Sequence, residues 1–96
     1  MKIYIAGPMS DIPNFNRDEF IAAGCLNRRQ GHIVINPAIL PDGLSQFEYM
    51  DICTAMLRCA DAIYLLRDWQ KSAGARAEHA LAEKLGLQII FQEYTA

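Results

Sequence analysis

A single run of residues restricts the fold of this chain more than its length or composition does. The run Ala60-Asp61-Ala62-Ile63-Tyr64-Leu65-Leu66 is apolar at all but one position. An apolar run without polar alternation is typical of a strand that is covered on both faces, as in parallel sheets flanked by helices. We therefore expect a buried strand here, with helices packed on both sides of its sheet.

The rest of the chain repeats this alternation of strand and helix. Three more short apolar runs, at residues 2–6, 32–35 and 87–91, predict strands. Between the four runs lie three segments of helical periodicity, which begin at Asn16, Ser45 and Ser72. The order β-α-β-α-β-α-β predicts a Rossmann- or flavodoxin-like α/β three-layer sandwich with an open, parallel, four-stranded sheet. With 96 residues, the chain is expected to form one domain, 1–96.

Local signals mark the starts of the helices. Asn16 with Glu19, and Ser45 with Glu48, both have the spacing of a capping box, in which the first side chain caps the helix and the second bonds back. We therefore expect helices to begin at Asn16 and at Ser45. Ser72 is the cap predicted for the third helix.

Composition excludes several classes of function. The formal net charge of −2 argues against a surface for a nucleic acid polymer, which normally carries a basic stripe. No apolar stretch approaches the roughly 20 residues of a membrane span, so no membrane partner is expected. Three cysteines without a CxxC pair predict reduced thiols in a cytoplasmic protein. The two histidines have no partners at ligand spacing, and we expect neither a metal site nor a cofactor.

Ligands of open parallel sheets bind beyond the carboxyl ends of the strands. Here that rule selects residues 7–16, 36–43 and 67–72, with the first turns of the helices that follow. Glu78 is the most informative residue near them, because it shares a helix face with small or apolar residues, where a charge is expensive to bury. Periodicity alone leaves a second interpretation open, in which Glu78 lies at the edge of that face and reaches water.

Other polar residues near these strand ends are weaker candidates. Ser72-Ala73-Gly74-Ala75 offers a hydroxyl, free backbone N–H groups and small side chains, which suit an anion but also serve simple capping. Asp51 lies as far into its helix as Glu78 does, so the two acids could act as a pair, although a surface acid near a helix start is commoner. Trp69 could stack on a base or cover the core edge, and Arg67 could meet a phosphate. Asn14 and Asn16 offer ribose contacts, although Asn16 already has a predicted capping role.

Several motifs together resemble a known family. Ile3-Tyr4-Ile5-Ala6-Gly7-Pro8-Met9 resembles the first strand and loop of nucleoside 2-deoxyribosyltransferases and related nucleotide N-glycosidases. Ser72-Ala73-Gly74-Ala75-Arg76-Ala77-Glu78 is similar to their helix motif, in which the Glu is the nucleophile. Asp51, followed by Ala60-Asp61-Ala62, matches the family's spacing. Ile12-Pro13-Asn14-Phe15-Asn16 is similar to a short, largely uncharacterised bacterial and phage branch, in which Gly commonly stands where this chain has Asp11.

The resemblance implies an enzyme that cleaves the N-glycosidic bond of a (deoxy)nucleoside or its 5′-monophosphate, with the sugar passing to water or to another base. Glu78 would form the covalent intermediate, and Asp51 would orient a sugar hydroxyl or assist protonation. Ser72 stands where nucleotide hydrolases of the family bind phosphate. The substrate-binding residues implied are Gly7, Pro8, Met9, Asn14, Asn16, Arg67, Trp69, Ser72, Gly74 and Ala75.

Two other functions stay open at this stage. One is a non-catalytic nucleotide-binding or regulatory module that keeps the fold, and the other is an NAD glycohydrolase-like activity. The resemblance also implies a homodimer or a larger homo-oligomer.

Overall fold

The computed structural model describes residues 1–10 and 12–93 of the chain. Asp11, which departs from the branch motif, lies outside the described residues, as does the end of the predicted domain at 94–96. The described residues form four strands: β1 (Lys2–Ala6), β2 (Ile33–Ile35), β3 (Ala62–Leu65) and β4 (Gln88–Phe91). Between them lie three helices: α1 (Arg17–Arg29), α2 (Gln46–Arg58) and α3 (Ala73–Leu85).

The strands make one parallel sheet in the order β2-β1-β3-β4. The chain moves from β1 to one edge of this sheet, then crosses to β3 on the other side of β1. Crossovers in parallel sheets are right-handed, so this reversal puts α1 on one face and both α2 and α3 on the other. The predicted α/β sandwich is confirmed, and the sheet has the arrangement of flavodoxin-like folds.

The two faces of the sheet carry separate parts of the core. Ile3, Ile5 and Tyr64 pack toward α1 with Phe20 and Ala23 of that helix. On the opposite face lies a second cluster, formed by Tyr4, Ala6, Cys53, Leu57, Ala60, Ile63, Leu65 and Ala82. Residues 3–6 and 62–65 are buried at every position, which is what the run of apolar residues predicts.

One of the two predicted capping boxes is present. Ser45 Oγ accepts from the Glu48 amide at 3.1 Å, and the Glu48 carboxylate accepts from the Ser45 amide at 2.8 Å. The helix predicted from Asn16 is present, since α1 begins directly after this residue, but the capping box predicted there is wrong. Asn14, Phe15 and Asn16 all have positive φ, and Asn16 caps no helix amide; its side-chain amide instead donates to the Pro8 carbonyl at 3.0 Å.

At the carboxyl end of the sheet, the residues that follow β1 and β3 pack closely against each other. Gly7 directly follows β1, and a Cβ added there would come within 2.7 Å of the Cβ of Leu66, which directly follows β3. Only a residue without a side chain fits at this position. At the opposite end of the sheet, Asp61 accepts from the Lys2 amide at 2.8 Å and so connects the start of β3 to the start of β1. Of the helices in the described ranges, none has the length and apolarity that crossing a bilayer requires.

Candidate functional site

Glu78 lies one and a half turns into α3, on the face that packs against the sheet. The helix begins where Ser72, in extended backbone conformation, accepts from the Ala75 amide at 3.2 Å. From that start, periodicity turns Ala75, Glu78 and Ala82 inward, and all three are buried. Glu78 is 6% exposed, so the interpretation in which it reaches water from the edge of the face is wrong.

The hydrogen-bond partner of this carboxylate comes from the central strand. Tyr4, in the middle of β1, donates its hydroxyl proton to Glu78 Oε2. Burial raises the pKa of Glu78 from its ordinary 4.5 to about 7, and the bond from Tyr4 acts in the opposite direction. Burial, with the nearby Glu78 charge, also raises the pKa of Tyr4 well above its usual value, so Tyr4 keeps its proton and remains a donor. The site thus holds a carboxyl group whose charge changes near neutrality.

These two side chains line an open cavity of about 100 Å³ at the carboxyl end of the sheet. Its buried part includes Ala6, Gly7 and Cys53, and its rim includes Ser10 and Arg17. Glu78 is the one carboxylate, and Arg17 the one permanent cation, among the described residues of the lining. Enclosed sites for whole drug-sized ligands measure roughly 300–1,000 Å³, so this cavity suits one part of a larger ligand.

Arg17 connects the loops around the cavity. Its guanidinium donates to the Leu40 carbonyl at 3.1 Å and forms an ion pair with Asp42 at 2.5 Å. It also lies 5.1 Å from the centre of the Phe15 ring. These contacts join the start of α1 to the loop that follows β2. The Arg17 guanidinium is therefore paired with groups of the protein itself at the rim of the cavity.

The structure brings half of the predicted site residues to this cavity. Six of the twelve lie in its lining: Gly7, Met9, Ser72, Gly74, Ala75 and Glu78. Three others, Pro8, Asn16 and Arg67, border a separate surface depression on the other side of the β1 and β3 ends. The remaining three, Asp51, Asn14 and Trp69, line neither.

Those last three residues have other surroundings. Asp51 is exposed on α2, whereas its neighbours Met50 and Cys53 line the cavity. Trp69 packs its ring on His79, with centroids 4.5 Å apart, and against the core, as in the alternative considered for it. Asn14 is exposed and accepts from Arg17 at 3.3 Å. The structure does not bring the two predicted acids together.

Sequence reasoning missed Tyr4 and Cys53 as site residues, because both fit a core pattern. One signal was present for Tyr4: a tyrosine in the middle of a buried strand needs a partner for its hydroxyl. The polar residue that turns inward from the neighbouring helix is Glu78. Nothing in the sequence distinguishes Cys53 from a packing residue, since free cysteine is commonly buried.

No group of three or more His, Cys, Asp or Glu side chains that could hold a metal ion occurs among the described residues.

Fold and site define an α/β domain with a buried carboxyl group at the switch point between β1 and β3, where ligands of such sheets bind. The family model "Domain of unknown function (DUF4406)" matches residues 1–91, and the chain belongs to this family.

Among solved structures, the chain is similar to a 2-desoxiribosyltransferase from Leishmania mexicana, with a TM-score of 0.74 and 21% identity. The match covers 94% of this chain and 62% of that one, and it shows a shared fold. No match was found among curated protein sequences.

Proposed function

We propose that this protein cleaves the N-glycosidic bond of a nucleoside or a nucleoside 5′-monophosphate, with Glu78 as the nucleophile. The observation that carries the proposal is a buried carboxylate in an open cavity at the carboxyl end of the sheet. The fold shared with a 2-desoxiribosyltransferase supports this choice of reaction. The same first step serves two outcomes. The sugar is transferred either to a second base or to water.

In that first step, a Glu78 oxygen bonds to C1′ of the sugar while the C1′–N bond breaks. The electron pair of the broken bond leaves with the base, which takes up a proton from water. In the second step, water or another base attacks C1′, the ester bond breaks, and the Glu78 carboxylate is restored. Such a double displacement needs one nucleophilic carboxylate close to the sugar, and Glu78 is the one carboxylate of the described lining.

Burial makes the Glu78 anion reactive. A desolvated carboxylate is held at higher free energy than one in water, which is why its pKa rises to about 7. Formation of the neutral ester relieves that cost, so ionised Glu78 gains more from attack than an exposed acid would. The bond from Tyr4 fixes the rotamer of the carboxylate and keeps part of Glu78 ionised at neutral pH.

The start of α3 provides a place for a 5′-phosphate. Ser72 lines the same cavity as Glu78, and its Oγ accepts from the Ala75 amide, so the hydroxyl proton is available to a phosphate oxygen. The positive end of the helix dipole favours an anion at this position. These features support the 5′-monophosphate as the substrate.

The test is an end-point assay of free base release from nucleosides, 5′-monophosphates and NAD, followed by chromatography. Glu78→Gln keeps the size of the side chain and removes the nucleophile, so we expect a loss of at least about 1,000-fold. Mass spectrometry of quenched wild type should show one sugar attached to the peptide that contains Glu78. Base release that survives in Glu78→Gln would exclude this mechanism.

Asp51→Asn is the matched comparison, because it neutralises the second predicted acid. The exposed position of Asp51 outside the lining leads us to expect nearly full activity from this variant. A loss as large as that of Glu78→Gln would restore Asp51 to the catalytic role that the family resemblance implies. Binding of an unchanged nucleotide by folded wild type, without base release, would favour the non-catalytic module, and release of nicotinamide would favour the NAD-cleaving alternative.

A further inference from the structure

The reaction proposed above leaves negative charge on the departing base, and the described lining of the cavity offers no suitable acid to neutralise it. Glu78 is the nucleophile and the one carboxyl group there, and no histidine or lysine occurs among the described residues of the lining. The Tyr4 hydroxyl donates to Glu78, and the Tyr49 hydroxyl donates to the Pro41 carbonyl at 2.7 Å. Burial raises the pKa of the Cys53 thiol, which makes it a poor proton donor. The charge on the base therefore needs another partner.

Arg17 is the one permanent cation of the described lining, and part of its guanidinium is unused. A guanidinium has five N–H donors. Nη2 donates to the Leu40 carbonyl at 3.1 Å and to Asp42, and Nη1 donates to Asn14 at 3.3 Å. Two donors, one on Nη1 and one on Nε, have no acceptor among the described residues. The guanidinium can therefore keep its contacts with the protein and still bind a ligand.

The same contacts hold the guanidinium in place before a ligand arrives. They come from the start of α1 and from the loop after β2, and the centre of the Phe15 ring lies 5.1 Å from the guanidinium carbon. The Arg17 side chain is 19% exposed, whereas that of Asp42 is 68% exposed. A cation that is fixed in advance and partly shielded from water stabilises developing charge with little reorganisation.

We infer that Arg17 is a catalytic residue that binds the departing base and stabilises the negative charge developing on it. The inference rests on the function proposed above. Pyrimidines and purines both carry an acceptor atom close to the nitrogen of the N-glycosidic bond, a carbonyl oxygen in the first and a ring nitrogen in the second. An unused N–H group of Arg17 donates to this atom, and the bond strengthens as the base becomes an anion.

The step balances without a protein acid. As the C1′–N bond breaks, its electron pair passes to the base, Arg17 keeps its proton, and the base anion takes a proton from water. In hydrolysis, the hydroxide formed in this way attacks C1′ and restores the Glu78 carboxylate. In transfer, the hydroxide takes the proton of the second base, and that base attacks C1′.

Binding of a base anion tests the role of Arg17 without any reaction. The probes are 5-fluorouracil and xanthine, a pyrimidine and a purine that each lose a proton just above neutral pH. Calorimetry measures their affinities below and above this ionisation in Glu78→Gln, which removes the opposing charge of Glu78. We expect the anion of at least one probe to bind about tenfold more tightly than its neutral form, and Arg17→Gln to abolish this preference. Equal affinity of both forms, no binding of either probe, or a preference that survives Arg17→Gln would overturn the inference.

The acidity of the leaving base provides a second test in a protein that is otherwise wild type. Arg17→Gln should release guanine or uracil about 100-fold more slowly than wild type does. The loss should shrink with 7-methylguanine as the leaving base, because this base departs without negative charge. It should also shrink with 5-fluorouracil, whose anion is more stable than that of uracil. A loss of the same size for every base would show that Arg17 acts only through the structure.

Asp42→Asn is the matched control, because it removes the ion pair and leaves the cation in the lining. We expect this variant to keep both the preference for the base anion and nearly full base release. If it loses as much as Arg17→Gln does, the ion pair is what matters and the inference fails. Circular dichroism establishes that each variant is folded. Arg17→Met, which keeps an apolar stem near Phe15, replaces the glutamine variant if the latter does not fold.

The two proposals fail separately in this design. If Arg17 sets the preference for a base anion in a protein that releases no base, the base-binding role stands and the proposed enzymatic function fails. If base release depends on Glu78 but is indifferent to position 17, the enzyme stands and the role of Arg17 is withdrawn.

Discussion

The burial of Glu78 could be predicted from the sequence, whereas its hydrogen-bond partner was not. Its place among small and apolar residues of one helix face predicts a carboxylate that is buried at a cost, and the structure confirms the burial. No local spacing relates Glu78 to its partner, because Tyr4 lies 74 positions away, and the one sequence signal is the need of a tyrosine in a buried strand for a hydroxyl partner. Only the packing of α3 against β1 brings them together.

The buried carboxyl group should make the protein less stable as the pH rises. Glu78 is neutral in the folded state up to a pKa of about 7, against 4.5 when exposed, so the folded state holds the extra proton between these values. Its stabilising contribution is complete below pH 4.5 and is lost through pH 7. Glu78→Gln should therefore gain on the order of 3 kcal/mol relative to wild type between pH 4.5 and 8.5.

Urea unfolding at these two pH values measures the difference. Glu83→Gln, an exposed acid on the same helix, is the control and should show little of this gain. A free energy of unfolding that changes equally with pH in wild type and in Glu78→Gln would show that Glu78 is not a buried titrating group.

Removing the Tyr4 hydroxyl should affect the ionised state of the site most. In Tyr4→Phe the carboxylate loses its donor, so the pKa of Glu78 should rise above 7. We expect a loss of about 1–3 kcal/mol at pH 8.5, where Glu78 is charged, and a smaller loss at pH 4.5. Tyr64→Phe is a matched control, because Tyr64 is a buried tyrosine on the opposite face of the sheet. Equal losses at both pH values would contradict the role given to the Tyr4 hydroxyl.

At the scale of the element, local signals predict structure only where the flanking backbone permits it. The Ser45 box forms because Ser45 has extended backbone angles, which bring its hydroxyl to the amide three residues later. Asn16 has the same spacing to its glutamate, yet its φ of 58° is left-handed and turns the side chain toward Pro8. The sequence pattern contains the spacing but not the preceding turn, so it could not separate the two cases.

The caps of α2 and α3 provide a matched pair of variants. Ser45→Ala and Ser72→Ala each remove a hydroxyl that accepts from a helix amide, so each should cost about 1 kcal/mol of stability. Only Ser72 lines the cavity, and only Ser72→Ala should reduce base release from 5′-monophosphates more than from nucleosides. Initial rates with both substrate types check this. An equal reduction for both types would remove the phosphate from the role proposed for the start of α3.

For the whole molecule, the sequence predicted the layers and the edge of the sheet that holds the site. Apolar runs identify buried parallel strands, and parallel strands put their carboxyl ends at one edge, so Gly7, Ser72 and Glu78 could be placed together in advance. The same rule also selected Arg67 and Trp69, which follow β3 along the chain. These two turn away from the cavity, and the direction of a loop side chain depends on contacts that sequence spacing does not contain.

The homo-oligomer implied by the family resemblance stays a prediction, and two exposed side chains show where to test it. Phe47 and Ile39 are 86% and 79% exposed, and they stand next to Gln46 and Leu40 of the cavity lining. A second copy that covered these two side chains would bury apolar area. It would also add a further wall beside the open cavity, which measures only about 100 Å³ in a single chain.

Sedimentation equilibrium should find a dimer or larger species for wild type and a shift toward monomer for Phe47→Ser. Ile33→Ser, a change at a side chain 67% exposed on the edge strand β2, is the control and should leave the mass unchanged. If base release falls with the mass in the first variant alone, the second copy completes the site. If wild type sediments as a monomer and still releases base, a single chain is sufficient for the reaction.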